Sequence, residues 1–364
     1  MNICIVCGAR PNFIKVAPVI RAIESAKAQG KSIDYHLVYS GEKSDPTLED
    51  GLFEDLQIRR PDVYLGVTCQ NLNELTGQVM SAFESYLQQY PTDTVVVVDD
   101  LASTMATAIV TKKQGIRLAH LSAGTRSFDI QMPKEINRLV IDGLSDILFT
   151  AGISNNSIVN REGAELSKVY MVGNVLIDNM RFNRNQLVKP KIFDSLGLKE
   201  KAYLVFTLNR KALIGNKENL QKMLEAIAEN HSNITIVAPL RELAKEAVEA
   251  CQRKIGEKVL TIVEPMPYLR FAYLMAHAAG VITDSGNVAE ESTFNQVPCI
   301  TLNSYTEHEE TVKVGTNVLV GEDAEELGKM VKKMVNGEWK ASGLPDRWDG
   351  RSAERIVQIL LEAK

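Results

Sequence analysis

Four places in this chain set glycines or charged side chains at the carboxyl end of a short apolar run, where a ligand can meet backbone N–H groups. The first is Gly8-Ala9-Arg10-Pro11-Asn12, with Lys15 one turn further on. A helix start, an Arg and a Lys together suit an anion such as a diphosphate. The same residues also make a tight turn with two solvated cations. The second is Val98-Asp99-Asp100, the acidic end of a valine run. Capping of the next helix accounts for one such Asp, but here there are two. The third is His120-Leu121-Ser122-Ala123-Gly124-Thr125-Arg126, followed by Pro133-Lys134-Glu135-Ile136-Asn137-Arg138. Glu135 and Arg138 have the i, i+3 spacing of an ion pair on a helix, which can be structural or functional. The fourth and most specific is Thr283-Asp284-Ser285-Gly286-Asn287, then Glu290-Glu291. Ser-Gly at a helix start makes a phosphate cradle. A carboxylate one turn or so into that helix can accept from two vicinal hydroxyls, as a ribose offers. A capped helix with exposed glutamates is the plain alternative.

Positioning these residues takes strands that end side by side. Ile3 to Val6 is a short apolar strand, and Pro11 suits the first turn of the helix after it. Further strands are expected at Tyr35 to Tyr39, Thr94 to Val98, Leu118 to Leu121, Ile147 to Thr150 and Lys168 to Val172. Helices are expected at Leu72 to Tyr90, Ala102 to Lys113 and Ile136 to Ser145. The run Thr94 to Val98 is nearly pure valine, as buried parallel strands are. Near Gly173-Asn174 the pattern breaks, and Arg181 to Lys201 reads as a polar connection. A second series then places strands at Tyr203 to Thr207, Ile234 to Ala238, Val259 to Val263, Gly280 to Thr283 and Pro298 to Leu302. This alternation predicts an α/β protein with two Rossmann-like domains, parallel sheets, and a central cleft between them. The expected domains are residues 1–172 and 173–349, with a last helix in 350–364 packing back on the first.

The composition narrows the class. The chain has 364 residues, 41 Lys+Arg against 46 Asp+Glu, and a net charge of −5, so a non-specific nucleic-acid binder is not expected. No apolar run approaches the ~18 residues that span a membrane, and no signal peptide is read at the start. The five cysteines are scattered. Cys4 and Cys7 have a C-x-x-C spacing without a second pair, and read as small hydrophobes on a strand. A cytoplasmic protein with reduced thiols is expected.

The ordered set of motifs resembles the non-hydrolysing UDP-N-acetylglucosamine 2-epimerases, a family with the two-domain GT-B architecture. Gly8-Ala9-Arg10-Pro11 with Ile14-Lys15 and Ala17-Pro18 resembles G-T-R-P-E-x-I-K-x-x-P. Asp100 with Thr104-Met105-Ala106-Thr107 resembles G-D-T-x-T-x-x-A. Ala119-His120 and Ala123-Gly124-Thr125-Arg126 resemble H-V-E-A-G-L-R, and Pro133, Glu135, Asn137 and Arg138 resemble P-E-E-x-N-R. Val172-Gly173-Asn174 with Asp178, Pro267-Tyr268 with Phe271, Thr283-Asp284-Ser285-Gly286 with Glu290-Glu291, and Gly315-Thr316-Asn317 continue the series to the second half. The resemblance implies inversion at C2 of a UDP-sugar without a nicotinamide or metal: a base takes the C2 proton, UDP leaves anti, and UDP re-adds after a proton returns on the other face. By position, it implies that Arg10, Ser285 and Gly286 hold the diphosphate, Glu291 the ribose, and that Phe271 borders the uracil. Arg210, Asn287 and His308 fall at further UDP-sugar positions. Lys15, Asp100, Glu135 and Arg138 fall around the sugar as the catalytic set. The resemblance also implies a homodimer.

The departures fall at the sugar. The Glu of H-V-E-A-G-L-R is Ser122 here, and the His of T-x-H-R-x-E-N is Asn209. Ser is no base without its own activation, and Asn does not titrate. The Arg of T-E-R-P-E is His308, and the second Gly of S-G-G is Asn287. The readings therefore are UDP-N-acetylglucosamine 2-epimerase, with Asp99 and Asp100 as the replacement acid/base pair, or a catalytically altered relative. The latter acts on a modified UDP-sugar, transfers glycosyl groups, or only binds a UDP-sugar or a partner.

Overall fold

The computed structural model describes residues 1–163 and 167–363. The chain divides into two compact units: unit 1 is Met1–Phe182 with Asp346–Lys364, and unit 2 is Asn183–Pro345.

Unit 1 runs β1 (Asn2–Cys7), α1 (Arg10–Ala28), β2 (Asp34–Tyr39), α2 (Asp50–Leu56), β3 (Val63–Tyr64), α3 (Leu72–Gln89), β4 (Thr94–Val98), α4 (Ala102–Lys113), β5 (Arg117–Ala123), α5 (Pro133–Leu144), β6 (Ile147–Thr150), α6 (Ile153–Arg161), β7 (Lys168–Met171) and α7 (Val175–Asn183). Its seven strands order as β3-β2-β1-β4-β5-β6-β7, all in parallel register. The valine run is buried at every position, because helices cover both faces of a central parallel strand. The order reverses direction between β1 and β4. That point is where an open α/β sheet leaves a crevice at its carboxyl edge.

Unit 2 begins with α8 (Lys191–Ser195) and continues β8 (Tyr203–Thr207), α9 (Lys211–Gly215), α10 (Lys217–Asn230), β9 (Thr235–Pro239), α11 (Glu242–Ile255), β10 (Thr261–Val263), α12 (Tyr268–Ala276), β11 (Gly280–Thr283), α13 (Gly286–Phe294), β12 (Cys299–Thr301), α14 (Glu310–Lys313), β13 (Asn317–Leu319) and α15 (Ala324–Val335). Its parallel sheet orders β10-β9-β8-β11-β12-β13, with its own reversal between β8 and β11. The two-domain parallel α/β architecture read from the sequence is therefore the architecture of the chain. The sequence reading lacked α2, β3, α8, α9, α14 and β13, all of seven residues or fewer and too short to display a period, and also α6 and α7, of nine residues each, the latter starting where a break in the pattern was read and running into the stretch taken as a polar connection.

After unit 2, α16 (Ser352–Glu362) joins unit 1. Ala353, Ile356, Val357 and Leu360 enter the same core as Phe13, Val16, Ile20 and Ile23 of α1. Two polar contacts fix this return. Trp348 is fully buried and donates from Nε1 to Ala151 O at 3.1 Å. The Asp178 carboxylate accepts from Ser352 N at 3.1 Å and Ala353 N at 2.7 Å, supplying from α7 the cap that α16 lacks locally. Asp178→Ala leaves two helix-start donors buried without an acceptor. The expected loss is about 1–2 kcal/mol, read from the urea midpoint at unchanged m-value.

Pro18 inside α1 has no N–H for the Ile14 carbonyl, and Asn179 of α7 donates its side-chain amide to that carbonyl instead. Cys4 and Cys7 lie on opposite faces of β1, in different cores. Burial pushes the Cys4 thiol up to about 12. Among the described residues, no helix is long and apolar enough to cross a membrane.

Candidate active site

Within each unit, residues singled out in the sequence gather at that unit's own strand-order reversal. In unit 1, Gly8 ends β1 and starts the turn into α1. A Cβ there would stand 2.1 Å from Ser103 Oγ, so only glycine lets β1 and α4 approach this closely. Arg10 is the first residue of α1 and is half-buried. Asn12, two residues on and buried, accepts at Oδ1 from Gly8 N at 2.9 Å and Ala9 N at 3.1 Å. Its amide donates to Asp99 Oδ2 at 2.9 Å, and Lys15 Nζ reaches Asp99 Oδ1 at 2.7 Å. Asp99 is thus the anion that holds the first turns of α1 against the end of β4. Burial alone would raise its carboxyl, but the Lys15 charge and hydrogen bond hold it below the usual Asp range. With both oxygens occupied, it is a counter-ion rather than a base.

Asp100, next in the turn, faces α5. Arg138 Nε and Nη2 lie 2.8 and 2.7 Å from Asp100 Oδ2, and Lys134 Nζ lies 3.4 Å from Oδ1. Arg138 Nη1 is 3.2 Å from Glu135 Oε2, the i, i+3 pair anticipated from the sequence. Arg138 is 1 % exposed and Glu135 3 %, so this is a buried carboxylate–guanidinium–carboxylate group. Glu135 also accepts from Ser127 N, Ser127 Oγ and Phe128 N at 2.9, 2.9 and 3.1 Å. Burial would raise its carboxyl, but the Ser127 and Phe128 donors and the Arg138 charge hold it below the usual Glu range. Ser122 sits at the irregular end of β5 with φ 66°, where the register to β6 shifts.

In unit 2, Asp284 follows β11 but does not cap α13. Its Oδ2 accepts from Asn209 N at 2.7 Å and Arg210 N at 2.6 Å, tying down the turn after β8. Asn209 itself is exposed. The Arg210 guanidinium donates to Leu302 O at 3.1 Å and pairs with Glu322 at 2.6 Å. Ser285 precedes α13 and caps it with no side-chain bond, so the first helical N–H groups, from Gly286 and Asn287 onward, keep the donor character of a helix start. A Cβ on Gly286 would meet nothing within 4 Å, so the space over this turn is open. Glu290 and Glu291 are buried on α13 rather than exposed. Burial, then the neighbouring Glu290 charge, pushes Glu291 up to about 8. His308 Nε2 lies 3.6 Å from Glu290 Oε1. Phe271 is half-buried on α12.

Asp142 escapes a sequence reading, and so do the partners of Asn12 and Arg126, two residues that stand inside the motifs. Asn12, Asp142 and Arg126 hold partners far along the chain. Asp142 receives His120 Nδ1 at 2.6 Å, Gly124 N at 3.0 Å and Arg126 Nη2 at 2.8 Å. The only local signal for Asp142 was its nearness to the motifs.

The chain matches the family model for UDP-N-acetylglucosamine 2-epimerase over residues 25–361. It is 35% identical to the UDP-N-acetylglucosamine 2-epimerase of Methanocaldococcus jannaschii, over 100% of both chains. It is 32% identical to the UDP-2,3-diacetamido-2,3-dideoxy-D-glucuronate 2-epimerase of Pseudomonas aeruginosa, over 88% of each. The crystal structure of the M. jannaschii enzyme with UDP-GlcNAc and UDP superposes with a TM-score of 0.84 at 34% identity, covering 100% of both chains. A S. aureus MnaA–UDP structure gives 0.85 at 25% identity, over 99% of this chain and 95% of that one. With the family model matched over residues 25–361 and a 35% identical relative matched end to end, the chain belongs to the UDP-N-acetylglucosamine 2-epimerase family.

Proposed function

We propose that the protein is a UDP-N-acetylglucosamine 2-epimerase, an isomerase that interconverts UDP-GlcNAc and UDP-ManNAc. The observation that supports this best is the buried Asp100–Arg138–Glu135 group at the strand-order reversal of unit 1, in a chain that matches the family throughout.

In this reading Lys15, Asp100, Glu135 and Arg138 stand around the sugar. Asp99 is neutralised by Lys15, and Glu135 spends its oxygens on Ser127, Phe128 and Arg138. Asp100 has the half-exposed Lys134 at 3.4 Å from Oδ1, and is the carboxylate that takes the C2 proton. The electron pair of the broken C2–H bond forms the C1–C2 double bond as the C1–O bond breaks, and UDP leaves with the oxygen. Returning a proton to C2 on the opposite face and UDP to C1 gives the epimer, with nothing oxidised or reduced. Arg10, Ser285 and Gly286 hold the departing diphosphate, where cations and helix-start donors stabilise developing charge, and Arg210, Asn287 and His308 stand at further UDP-sugar positions. Glu291 takes the ribose hydroxyls and Phe271 flanks the uracil. A homodimer and a cytoplasmic location belong to the same reading and rest on the family alone.

The test is proton NMR of UDP-GlcNAc with the protein in deuterated water. Deuterium entering C2 while a manno epimer grows is the expected result. Broadened uracil and ribose signals with no exchange would replace it with a UDP-sugar binder whose chemistry went with the residues replaced by Ser122 and Asn209.

A further inference from the structure

The turn after β4 is held at three successive carbonyls, each by a side chain from a different element. Thr104 Oγ1 of α4 donates to Val98 O at 3.2 Å, His120 Nε2 of β5 lies 3.1 Å from Asp99 O, and Asn137 Nδ2 of α5 donates to Asp100 O at 2.8 Å. The middle residue is the strained one. Asp99 has φ 59°, a left-handed backbone that L-residues adopt at a cost. Its side chain goes to Lys15 and Asn12 of α1, while the next side chain, Asp100, goes to Arg138 of α5. The turn therefore has to point two adjacent carboxylates at two different helices, and the left-handed residue makes that possible.

We propose that His120 is a positioning residue for the reaction: it clamps the Asp99 carbonyl and so fixes the direction of Asp100. A carbonyl only accepts, so Nε2 must carry a proton. The other ring nitrogen is anchored 2.6 Å from Asp142 Oδ1. Asp142 is itself held by Arg126 and Gly124 N. His120 is 1 % exposed, with its two ring nitrogens on Asp142 and the Asp99 carbonyl, so it acts through Asp99 and not on a substrate.

Two substitutions separate the clamp from the anchor. His120→Gln retains an amide donor near the Nε2 position and loses the link to Asp142. His120→Asn retains a donor near Nδ1 and loses the reach to Asp99 O. The kinetic arm rests on the epimerase reading. A shift of about 1 Å in a reacting group costs on the order of 10²-fold. His120→Asn is therefore expected to lower kcat about 10²-fold, with KM for UDP-GlcNAc changed less than about threefold. His120→Gln is expected to stay within about tenfold of wild type. Hydrogen exchange supplies an arm that needs no turnover: amides from Val98 to Met105 should lose protection in His120→Asn while the Gly124 amide keeps it. The reverse ranking of the two variants, or unchanged exchange in His120→Asn, overturns the proposal and assigns His120 to Asp142. Should neither variant fold, the wild-type ring decides. A 15N shift showing Nε2 without its proton overturns the clamp, and a protonated, slowly exchanging Nε2 supports it. A wild type that fails to turn over removes the epimerase reading and leaves the exchange and ring measurements to judge the clamp.

Discussion

Asp100→Asn is expected to stop turnover while leaving UDP affinity within about twofold of wild type. Asparagine keeps the shape of the side chain and one oxygen for Arg138, but it cannot accept a proton. Loss of a positioned acid/base group typically costs ~10²–10⁴ in rate. The neighbouring carboxylates cannot take over: Asp99 is committed to Lys15 and Asn12, and Glu135 to Ser127, Phe128 and Arg138. The effect should therefore fall on kcat, with C2 deuterium exchange lost in parallel with epimer formation. UDP titration by calorimetry supplies the control, because the helix start at Ser285-Gly286 belongs to unit 2 and Asp100 to unit 1. Exchange and turnover at wild-type rates in Asp100→Asn would remove this residue from the mechanism.

The largest stability effect is expected at Arg138. Its guanidinium lies between Asp100 and Glu135 and is 1 % exposed. Arg138→Leu keeps apolar volume but leaves two carboxylates buried without their cation. Breaking a buried pair from one side typically costs about 3–5 kcal/mol, which corresponds to a fall on the order of 10 °C in Tm. The pH dependence gives the sign. Glu135 is held below the usual range in the folded chain, so its stabilisation is fully present above the unfolded pKa, about 4.3. It is lost as pH falls through the folded value. In Arg138→Leu that depression shrinks. The gap in stability between wild type and variant should be widest near neutrality and close as pH drops below about 4. A gap independent of pH would mean that packing, not charge, is what Arg138 supplies.

The sequence made the frame readable because a buried parallel strand can hardly be written otherwise than as Thr94 to Val98 is. The Ser285-Gly286 turn was readable because its meaning is local: a strand end, a glycine and a helix start. The Glu135–Arg138 pair was readable for the same reason, being one helical turn apart. What the sequence withheld depends on backbone conformation and distant partners. Nothing in Val98-Asp99-Asp100 announces that Asp99 turns left-handed, and that conformation sends the two carboxylates in different directions. Lys15 reads as a candidate ligand to an anion, and nothing near it in sequence announces its bond to Asp99, which comes from beyond α3. His120 reads as one more residue of a buried strand, because its partners Asp99 and Asp142 lie some twenty residues away on either side. Glu290 and Glu291 lie on the helix foreseen for them, yet they are buried, which raises Glu291 to about 8.

The path of the chain through unit 1 has a consequence for synthesis on the ribosome. The first segment, Met1–Phe182, leaves the exit tunnel without α16, and the whole of Asn183–Pro345 must follow before α16 exists. At ~5–20 residues per second, that interval is on the order of ten seconds or more. Throughout it, the part of the α1 core that Ile356 and Leu360 will cover has no lid of its own. Unit 2, whose chain is continuous, has every element it needs as soon as it emerges. The nascent polypeptide thus completes its second domain before its first, and a chaperone that shields apolar surface during that interval would raise the yield of unit 1 more than that of unit 2.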